Sequence, residues 1–184
     1  MIARRSVLTG LGAAALKPGL AAQARPLKTQ YPNIDSNHLW LRHTATGEEV
    51  HVPFRAEAGQ LLERGHARLC WAFRDWRDGD ASIWMDPRLF DFLARMQTRA
   101  TRAAGFPVRI TLISGFRTAR RNRGLEGAAI NSQHSRGRAA DIGLTGLSHS
   151  QTALLADAMG APGLGRYPGF THIDVGPSGR RWSG

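Results

Sequence analysis

The sequence is poor in cysteine and has no long apolar run. Cys70 is the only cysteine among 184 residues, which excludes an intrachain disulfide and a zinc site built from several cysteines. Its neighbours Leu69 and Trp71 predict a buried side chain that acts as an apolar filler. Every apolar run is well short of the roughly 20 residues that a membrane-spanning helix needs, so we expect no transmembrane segment in the mature protein.

Acidic residues are also scarce. The chain has 25 Lys and Arg against 14 Asp and Glu, and a formal net charge of +11. A basic protein can be a nucleic-acid-binding protein, but the arginines here are scattered rather than interleaved with aromatic residues. We therefore expect no nucleic-acid partner and favour an anionic polymer of the cell envelope. The length and the hydrophobic content of 42% predict one domain, and we expect a monomer.

The first 24 residues are typical of an export signal. The pair Arg4-Arg5 precedes an apolar run rich in glycine and alanine, and Ala22-Gln23-Ala24 forms a small-x-small cleavage site. The twin arginine favours the Tat pathway, with a Sec signal or an uncleaved anchor as the alternatives. Residues 1–24 are thus predicted to be a Tat-type signal peptide, and we expect the protein to be exported to the periplasm or cell envelope.

Residues 25–37 are polar and contain two prolines, which predicts a linker before a folded domain over residues 38–184. Within that domain, apolar periodicity and turn signals predict both helices and strands. The predicted elements are a β-hairpin over residues 38–43 and 49–54, helices over residues 58–73, 86–100 and 148–159, and strands over residues 106–113, 138–142 and 171–175.

Most histidines are predicted to lie outside any metal site. His38, His43 and His51 fall in the hairpin, where we expect solvent-facing or cross-strand side chains. His66 and His149 fall in predicted helices, and we expect both to be exposed.

Two short motifs bring chemistry together. Residues 132–141 are SQHSRGRAAD and residues 171–174 are THID, which makes His134, Asp141 and His172 potential ligands of one divalent metal. Imidazoles and a carboxylate suit Zn²⁺, and three protein ligands leave a fourth position open for a hydrolytic water.

The local spacing supports this grouping. Gly137 permits a bend after His134, and the alternation from Arg138 onward predicts a strand that has Asp141 on one face. His172 and Asp174 are two residues apart on a presumed strand, so their side chains project from the same face. If His172 binds metal, Asp174 therefore lies beside it.

These motifs occur in a larger set that resembles a known family. SGFRT at residues 114–118, Asn122, SQHSRGRAADI at 132–142 and GRYPGFTHIDVG at 165–176 resemble the M15 group of zinc D-Ala-D-Ala peptidases. The resemblance is greatest to its murein endopeptidase K-like branch and extends from about residue 38 to residue 182.

The resemblance implies a compact α+β fold, with a small antiparallel sheet and flanking helices. It also implies one Zn²⁺ held by His134, Asp141 and His172, and hydrolysis of the peptide cross-links of peptidoglycan (murein). Two other functions stay open. One is a non-catalytic, zinc-containing module that binds peptidoglycan, and the other is a D,D-dipeptidase or carboxypeptidase acting on small cell-wall peptides.

Metal-assisted hydrolysis also needs a general base and an acid for the leaving amine. Better-known members of the clan carry a glutamate three residues before the last histidine ligand, where this chain has Gly169. Asp174 is our candidate base, and the alternative is that it orients a ligand by a hydrogen bond.

Three further residues are candidates for contact with substrate. Arg117 is predicted to hold a substrate carboxylate and take part in catalysis, with a structural ion pair as the alternative. Ser132 either binds substrate or caps a turn. Tyr167 either supplies a hydroxyl to the oxyanion or packs beside Pro168.

Overall fold

The computed structural model describes residues 34–125 and 129–184. The predicted signal peptide and most of the predicted linker lie outside the described residues, so both stay predictions. No helix in the described ranges is long and apolar enough to cross a membrane.

The described chain contains four α-helices, one short 3₁₀-helix and seven strands. In order, these are β1 His38–His43, β2 Glu49–Pro53, α1 Glu63–Ala72, α2 Pro87–Ala104, β3 Ile110–Ser114, α3 Ala119–Arg123, the 3₁₀-helix His134–Arg136, β4 Ala139–Leu144, α4 His149–Ala158, β5 Gly163–Tyr167, β6 Phe170–Asp174 and β7 Arg180–Ser183.

All seven strands form one sheet in the order β2-β1-β3-β4-β6-β5-β7. This confirms the predicted α+β class. The sheet is mixed rather than wholly antiparallel, because β1 pairs with β3 and β5 pairs with β7 in parallel. Parallel neighbours need a crossover connection, and the segment that carries α1 and α2 supplies one between β1 and β3.

Helix α2 begins and ends as its sequence dictates. The side chain of Asp86 accepts a hydrogen bond from the backbone N–H of Arg88 at 3.1 Å, and Pro87 occupies the first turn. The helix runs past the predicted end at residue 100 to Ala104. It stops at Gly105, whose φ of 74° is left-handed.

A continuous apolar core joins α2 to the sheet. Leu39, Leu41 and Ile110 of β1 and β3 are fully buried, as is Phe90 of α2. Gln97 is buried in the same core, where it exchanges hydrogen bonds of 3.0 and 2.6 Å with the backbone of Trp40. A buried amide is tolerated because these backbone groups satisfy it.

Two predictions for α1 meet different outcomes. Cys70 is buried as expected, and its sulfur accepts a hydrogen bond from the backbone N–H of Met85 at 3.3 Å. The prediction that His66 is exposed is wrong. His66 is fully buried between the rings of Trp84 and Phe90, and its Nε2 lies 3.0 Å from the Met85 carbonyl.

The other described histidines outside the two motifs have mixed outcomes. His38 and His51 stack across the hairpin with ring centroids 5.5 Å apart, as cross-strand residues do. His43 is instead only 2% exposed, and His149 is half-buried rather than exposed. Trp76, from the loop after α1, packs against His43, a contact that periodicity alone does not indicate.

Candidate metal and substrate-binding site

The central strands bring two of the three predicted metal ligands together. Asp141 of β4 lies opposite His172 of β6 in the antiparallel register. The 3₁₀-helix before β4 adds His134, and Gly137, with a φ of 65°, turns the chain between the helix and the strand. Residues far apart in sequence therefore meet, and all three line one cavity of the protein.

The ligand atoms converge closely. Oδ1 of Asp141 lies 2.9 Å from Nδ1 of His172 and 3.2 Å from Nε2 of His134. The two imidazole nitrogens are 3.1 Å apart. The three residues form the one group of metal-ligating side chains found among the described residues.

The hydrogen bonds of His134 define which of its nitrogens is available. Its Nδ1 lies 2.6 Å from the carbonyl oxygen of Gly115, which can only accept. The proton of a neutral ring is therefore on Nδ1, and Nε2 presents a lone pair to Asp141 and His172. Burial lowers the pKa of His134, which favours this neutral form.

His172 is oriented in the same way by a different partner. Its Nε2 lies 3.2 Å from Oδ2 of Asp174, so a neutral ring carries its proton on Nε2 and offers the Nδ1 lone pair. Burial alone would lower the pKa of His172, but its hydrogen bonds to Asp141 and Asp174 outweigh burial and raise it. The site thus attracts positive charge.

Three lone pairs consequently face one another with no hydrogen between them when both histidines are neutral. Burial disfavours a charged Asp141, yet the pKa of its carboxyl lies well below the usual range because of His134 and His172. A buried carboxylate with two imidazole lone pairs is a donor set that a divalent cation satisfies. The residues present therefore fit a metal ion.

Arg117 makes the ion pair that was the alternative to substrate binding. Its Nη2 donates to Oδ2 of Asp141, and its Nε donates to Oγ of Ser114 at 3.0 Å. The contact occupies the carboxylate oxygen that faces away from the two histidines. Arg117 also lines the cavity, so its predicted contact with substrate stays a prediction.

Asp174 lies behind His172 rather than among the ligand atoms. Its Oδ1 accepts hydrogen bonds from the backbone N–H of Gly176 at 2.8 Å and from Arg180, while Oδ2 faces His172. The residue is fully buried. This arrangement favours the orienting role over that of a base.

Ser132 and Tyr167 both line the cavity and are also engaged within the protein. Oγ of Ser132 accepts the backbone N–H of His134 at 3.3 Å, as a turn cap does. The hydroxyl oxygen of Tyr167 accepts Nε1–H of Trp182 at 2.8 Å, and its ring stacks on Phe170. The Tyr167 hydroxyl hydrogen is left to donate into the cavity.

The ligand atoms lie in a cavity of about 1170 Å³. Sequence reasoning missed two of its features. The ring centroids of Trp182 and His172 are 5.1 Å apart, and a Cβ on Gly165 would lie 2.7 Å from the Trp182 indole.

The second feature is buried Asp75, whose carboxylate accepts hydrogen bonds from Arg121 and from the backbone N–H of Thr118, each at 2.9 Å. Gly165 and Trp182 become neighbours only through the pairing of β5 with β7, and Asp75 sits in a charged run, so no local sequence signal indicated either contact.

Comparison with known proteins gives consistent results over almost the whole chain. A family model described as "Peptidoglycan L,D-endopeptidase MepK" matches residues 32–182. The protein of that name from Escherichia coli (strain K12) is 36% identical over 190 residues, covering 98% of this chain and 97% of that protein. The "Probable peptidoglycan L,D-endopeptidase MepK" of Haemophilus influenzae is 32% identical over 156 residues, covering 79% of this chain and 78% of that protein.

Proposed function

Since the chain belongs to the M15-type family of MepK peptidoglycan L,D-endopeptidases, we propose that it is a zinc endopeptidase that hydrolyses L,D peptide bonds in peptidoglycan cross-links. The observation that carries the proposal is the convergence of three lone pairs, on His134 Nε2, Asp141 Oδ1 and His172 Nδ1. These atoms would hold the ion. When bound, Zn²⁺ would supply a Lewis acid that polarises a carbonyl and lowers the pKa of a coordinated water.

The surrounding residues preorganise these ligands. The Gly115 carbonyl and the Asp174 carboxylate each fix one imidazole through the nitrogen that faces away from the site. Arg117 holds the other oxygen of Asp141. Each ligand therefore has one defined orientation before substrate arrives, which reduces the cost of reorganisation during reaction.

Two donors in the cavity suit the oxygen that gains negative charge as an amide is attacked. The Tyr167 hydroxyl has a hydrogen left to donate because Trp182 supplies the hydrogen bond to its oxygen. The Arg117 guanidinium, which also lines the cavity, carries a positive charge. We assign oxyanion stabilisation to Tyr167, and to Arg117 both charge stabilisation and contact with a substrate carboxylate.

The cavity also bears on the size of the substrate. Its volume of about 1170 Å³ exceeds the roughly 300–1,000 Å³ of pockets for drug-sized ligands. This supports a branched peptide of the cell wall over a free dipeptide. Action on peptidoglycan would place the protein in the cell envelope, and we propose that residues 1–24 direct its export by the twin-arginine route.

The decisive experiment treats purified peptidoglycan with the zinc-loaded protein and identifies the muropeptides by mass spectrometry. We expect dimers with 3-3 cross-links, whose bridging bond joins an L centre to a D centre, to disappear as monomers accumulate. His134→Ala and chelator-treated protein should leave the dimers intact, and zinc should restore only the chelated wild type. His51→Ala, on the surface of β2, is the matched histidine control and should remain active.

Other results would replace the proposal. Zinc-loaded protein that sediments with peptidoglycan but leaves every dimer intact would be a binding module. Loss of 4-3 dimers alone, whose bridging bond joins two D centres, would indicate D,D specificity. Hydrolysis of small cell-wall peptides with every dimer left intact would indicate a D,D-dipeptidase or carboxypeptidase.

A further inference from the structure

We propose that His43, Trp76 and Arg77 form a second subsite in the cavity, which binds a free carboxylate of the peptide substrate. This carboxylate subsite rests on the proposed function, since it supplies the specificity of the same cavity. Its three members come from β1 and from the loop after α1, and all three line the cavity together with the ligand residues.

The wall of the cavity carries more positive than negative charge. Six arginines line it, whereas Asp141 and Asp174 are the only acidic side chains among its described lining residues. Five of the arginines are already paired with acids: Arg74 with Glu48 and Asp80, Arg117 with Asp141, Arg121 with Asp75, Arg180 with Asp174, and Arg181 with Asp157.

Arg77 is the exception, because it has no carboxylate partner in the described parts of the chain. The nearby acid Asp78 is turned away to Thr118 and Arg120. Arg77 instead lies over the indole of Trp76, with its central carbon 4.8 Å from the ring centroid. Stacking occupies the face of a guanidinium and leaves its N–H edge free for a planar bidentate partner, such as a carboxylate.

His43 adds a directed donor beside this pair. Its Nδ1 accepts the backbone N–H groups of Ala45 at 3.1 Å and Thr46 at 3.3 Å, so the ring proton is on Nε2. That Nε2–H has no hydrogen-bond partner within the described residues, and His43 lines the cavity. The ring packs edge-on against Trp76 with centroids 6.4 Å apart. A cavity-lining N–H that no protein group accepts is free to donate to a ligand.

The protonation of His43 fits the same role. Burial lowers its pKa, and the positive charges of Arg74 and Arg77 lower it further. At neutral pH the ring is a neutral donor, and the positive charge of the subsite belongs to Arg77. An oxyanion is the ligand class that satisfies both groups.

The sheet sets how far His43, the member of this subsite that lies on a strand, is from the proposed metal ligands. Along the row of strands, β3 separates β1, which carries His43, from β4, which carries Asp141. Two strand spacings amount to about 10 Å. An extended peptide advances at most about 3.3–3.6 Å per residue, so the recognised carboxylate lies about three residues from the cleaved bond or at the end of a long branching side chain. Cross-linked stem peptides are branched and acidic, which matches this arrangement.

The test uses the full metal-loaded protein and a synthetic cross-linked peptide dimer. Each free carboxylate of the dimer is replaced in turn by a primary amide. We expect one of these amides to be cut by wild-type protein with a kcat/KM about tenfold lower than that of the acidic dimer. The change should appear as a higher KM, and its size corresponds to one charge-assisted hydrogen bond. Arg77→Gln should cut the acidic dimer with the same lowered kcat/KM. The variant should cut this acidic dimer and the sensitive amide equally well.

Arg95→Gln is the matched control, because Arg95 also lies over an aromatic ring, that of Phe92, and does not line the cavity. It should keep the wild-type preference for the acid. A wild-type enzyme that cuts every amide as well as the acid would overturn the subsite, as would full preference in Arg77→Gln.

The failure of the proposed function would be distinct, because wild-type protein would then cut none of the dimers. In that case the same acid and amides are titrated by calorimetry. A preference for the acid that is lost in Arg77→Gln would still support the subsite, and equal affinities would reject it.

Discussion

Arg117 and Asp141 form a buried ion pair in which the guanidinium holds the carboxylate oxygen that faces away from His134 and His172. Their side chains are 16% and 3% exposed. The pair has a cost, since two charges leave water, and each partner depends on the other to remain buried. With a metal bound, Asp141 would therefore have two sources of positive charge, Arg117 and the metal ion.

This relationship predicts that Arg117→Gln destabilises metal-free protein much more than loaded protein. Breaking a buried pair by removing one partner costs about 3–5 kcal/mol, and a bound cation would offset much of that. Urea unfolding with chelator and with zinc measures both values. Arg120→Gln, whose side chain is 81% exposed in its contact with Asp78, should change stability little in either condition. Equal destabilisation with and without metal would contradict the prediction.

Asp174→Asn should separate orientation from catalysis. If Asp174 orients His172, the substitution should weaken metal affinity about 10- to 100-fold, as loss of such supporting hydrogen bonds does. Because the metal ligands are unchanged, saturating zinc should then restore most turnover. Metal affinity is measured by competition with a chelating dye and turnover by muropeptide release. If turnover stays absent at saturating zinc, the result would support Asp174 as the general base instead.

Two glycines near the site should respond differently to an added methyl group. A Cβ on Gly115 would collide with the backbone oxygen of Phe73 and lie 2.8 Å from its Cβ, whereas a Cβ on Gly169 meets nothing within 4 Å. Gly115→Ala should therefore cost about 1–3 kcal/mol of stability. It should also weaken metal binding, because the Gly115 carbonyl holds His134. Gly169→Ala is the control and should match wild type in thermal unfolding and zinc affinity.

The buried His66 should make stability depend on pH outside the active site. Burial lowers its pKa from an unfolded value near 6.5. Below about pH 6.5 the unfolded chain therefore binds a proton that the folded chain refuses, so stability falls as the pH falls. The slope for one such group is at most about 1.4 kcal/mol per pH unit.

His66→Phe keeps a ring between Trp84 and Phe90 and removes the titration. Comparing the unfolding free energies of wild type and variant from pH 7.5 to pH 5 isolates this group, since the other titrating groups cancel. We expect the difference to change in the variant's favour as the pH falls. A difference that does not vary with pH would show that His66 titrates normally.

Local sequence signals predicted most elements of the fold but missed α3, β5 and β7. The Asp86-Pro87 start of α2, the hairpin of β1 and β2, and the helix predicted over residues 148–159 were all confirmed. Each depends on groups within a few residues, such as a capping side chain or alternation about a turn. The start of α1 was placed too early, because Arg55 instead bridges to Leu61 across the segment before the helix.

The sequence by itself determined which residues could bind a metal, since His134, Asp141 and His172 are identifiable from residue type, motif and strand spacing. It also determined the family through those motifs. Tertiary structure alone decided which ring nitrogens face inward, because the partners that fix them, Gly115 and Asp174, act through contacts that side-chain type does not specify.

Tertiary structure likewise decided the surroundings of His43 and Arg77. Both are ordinary surface residues by sequence pattern. Whether a polar side chain is satisfied depends on every neighbour that packs around it, and those neighbours come from separate parts of the chain. The folded protein buries His43 and leaves Arg77 without an acid partner among its described residues, and these two facts carry the proposed specificity of the cavity.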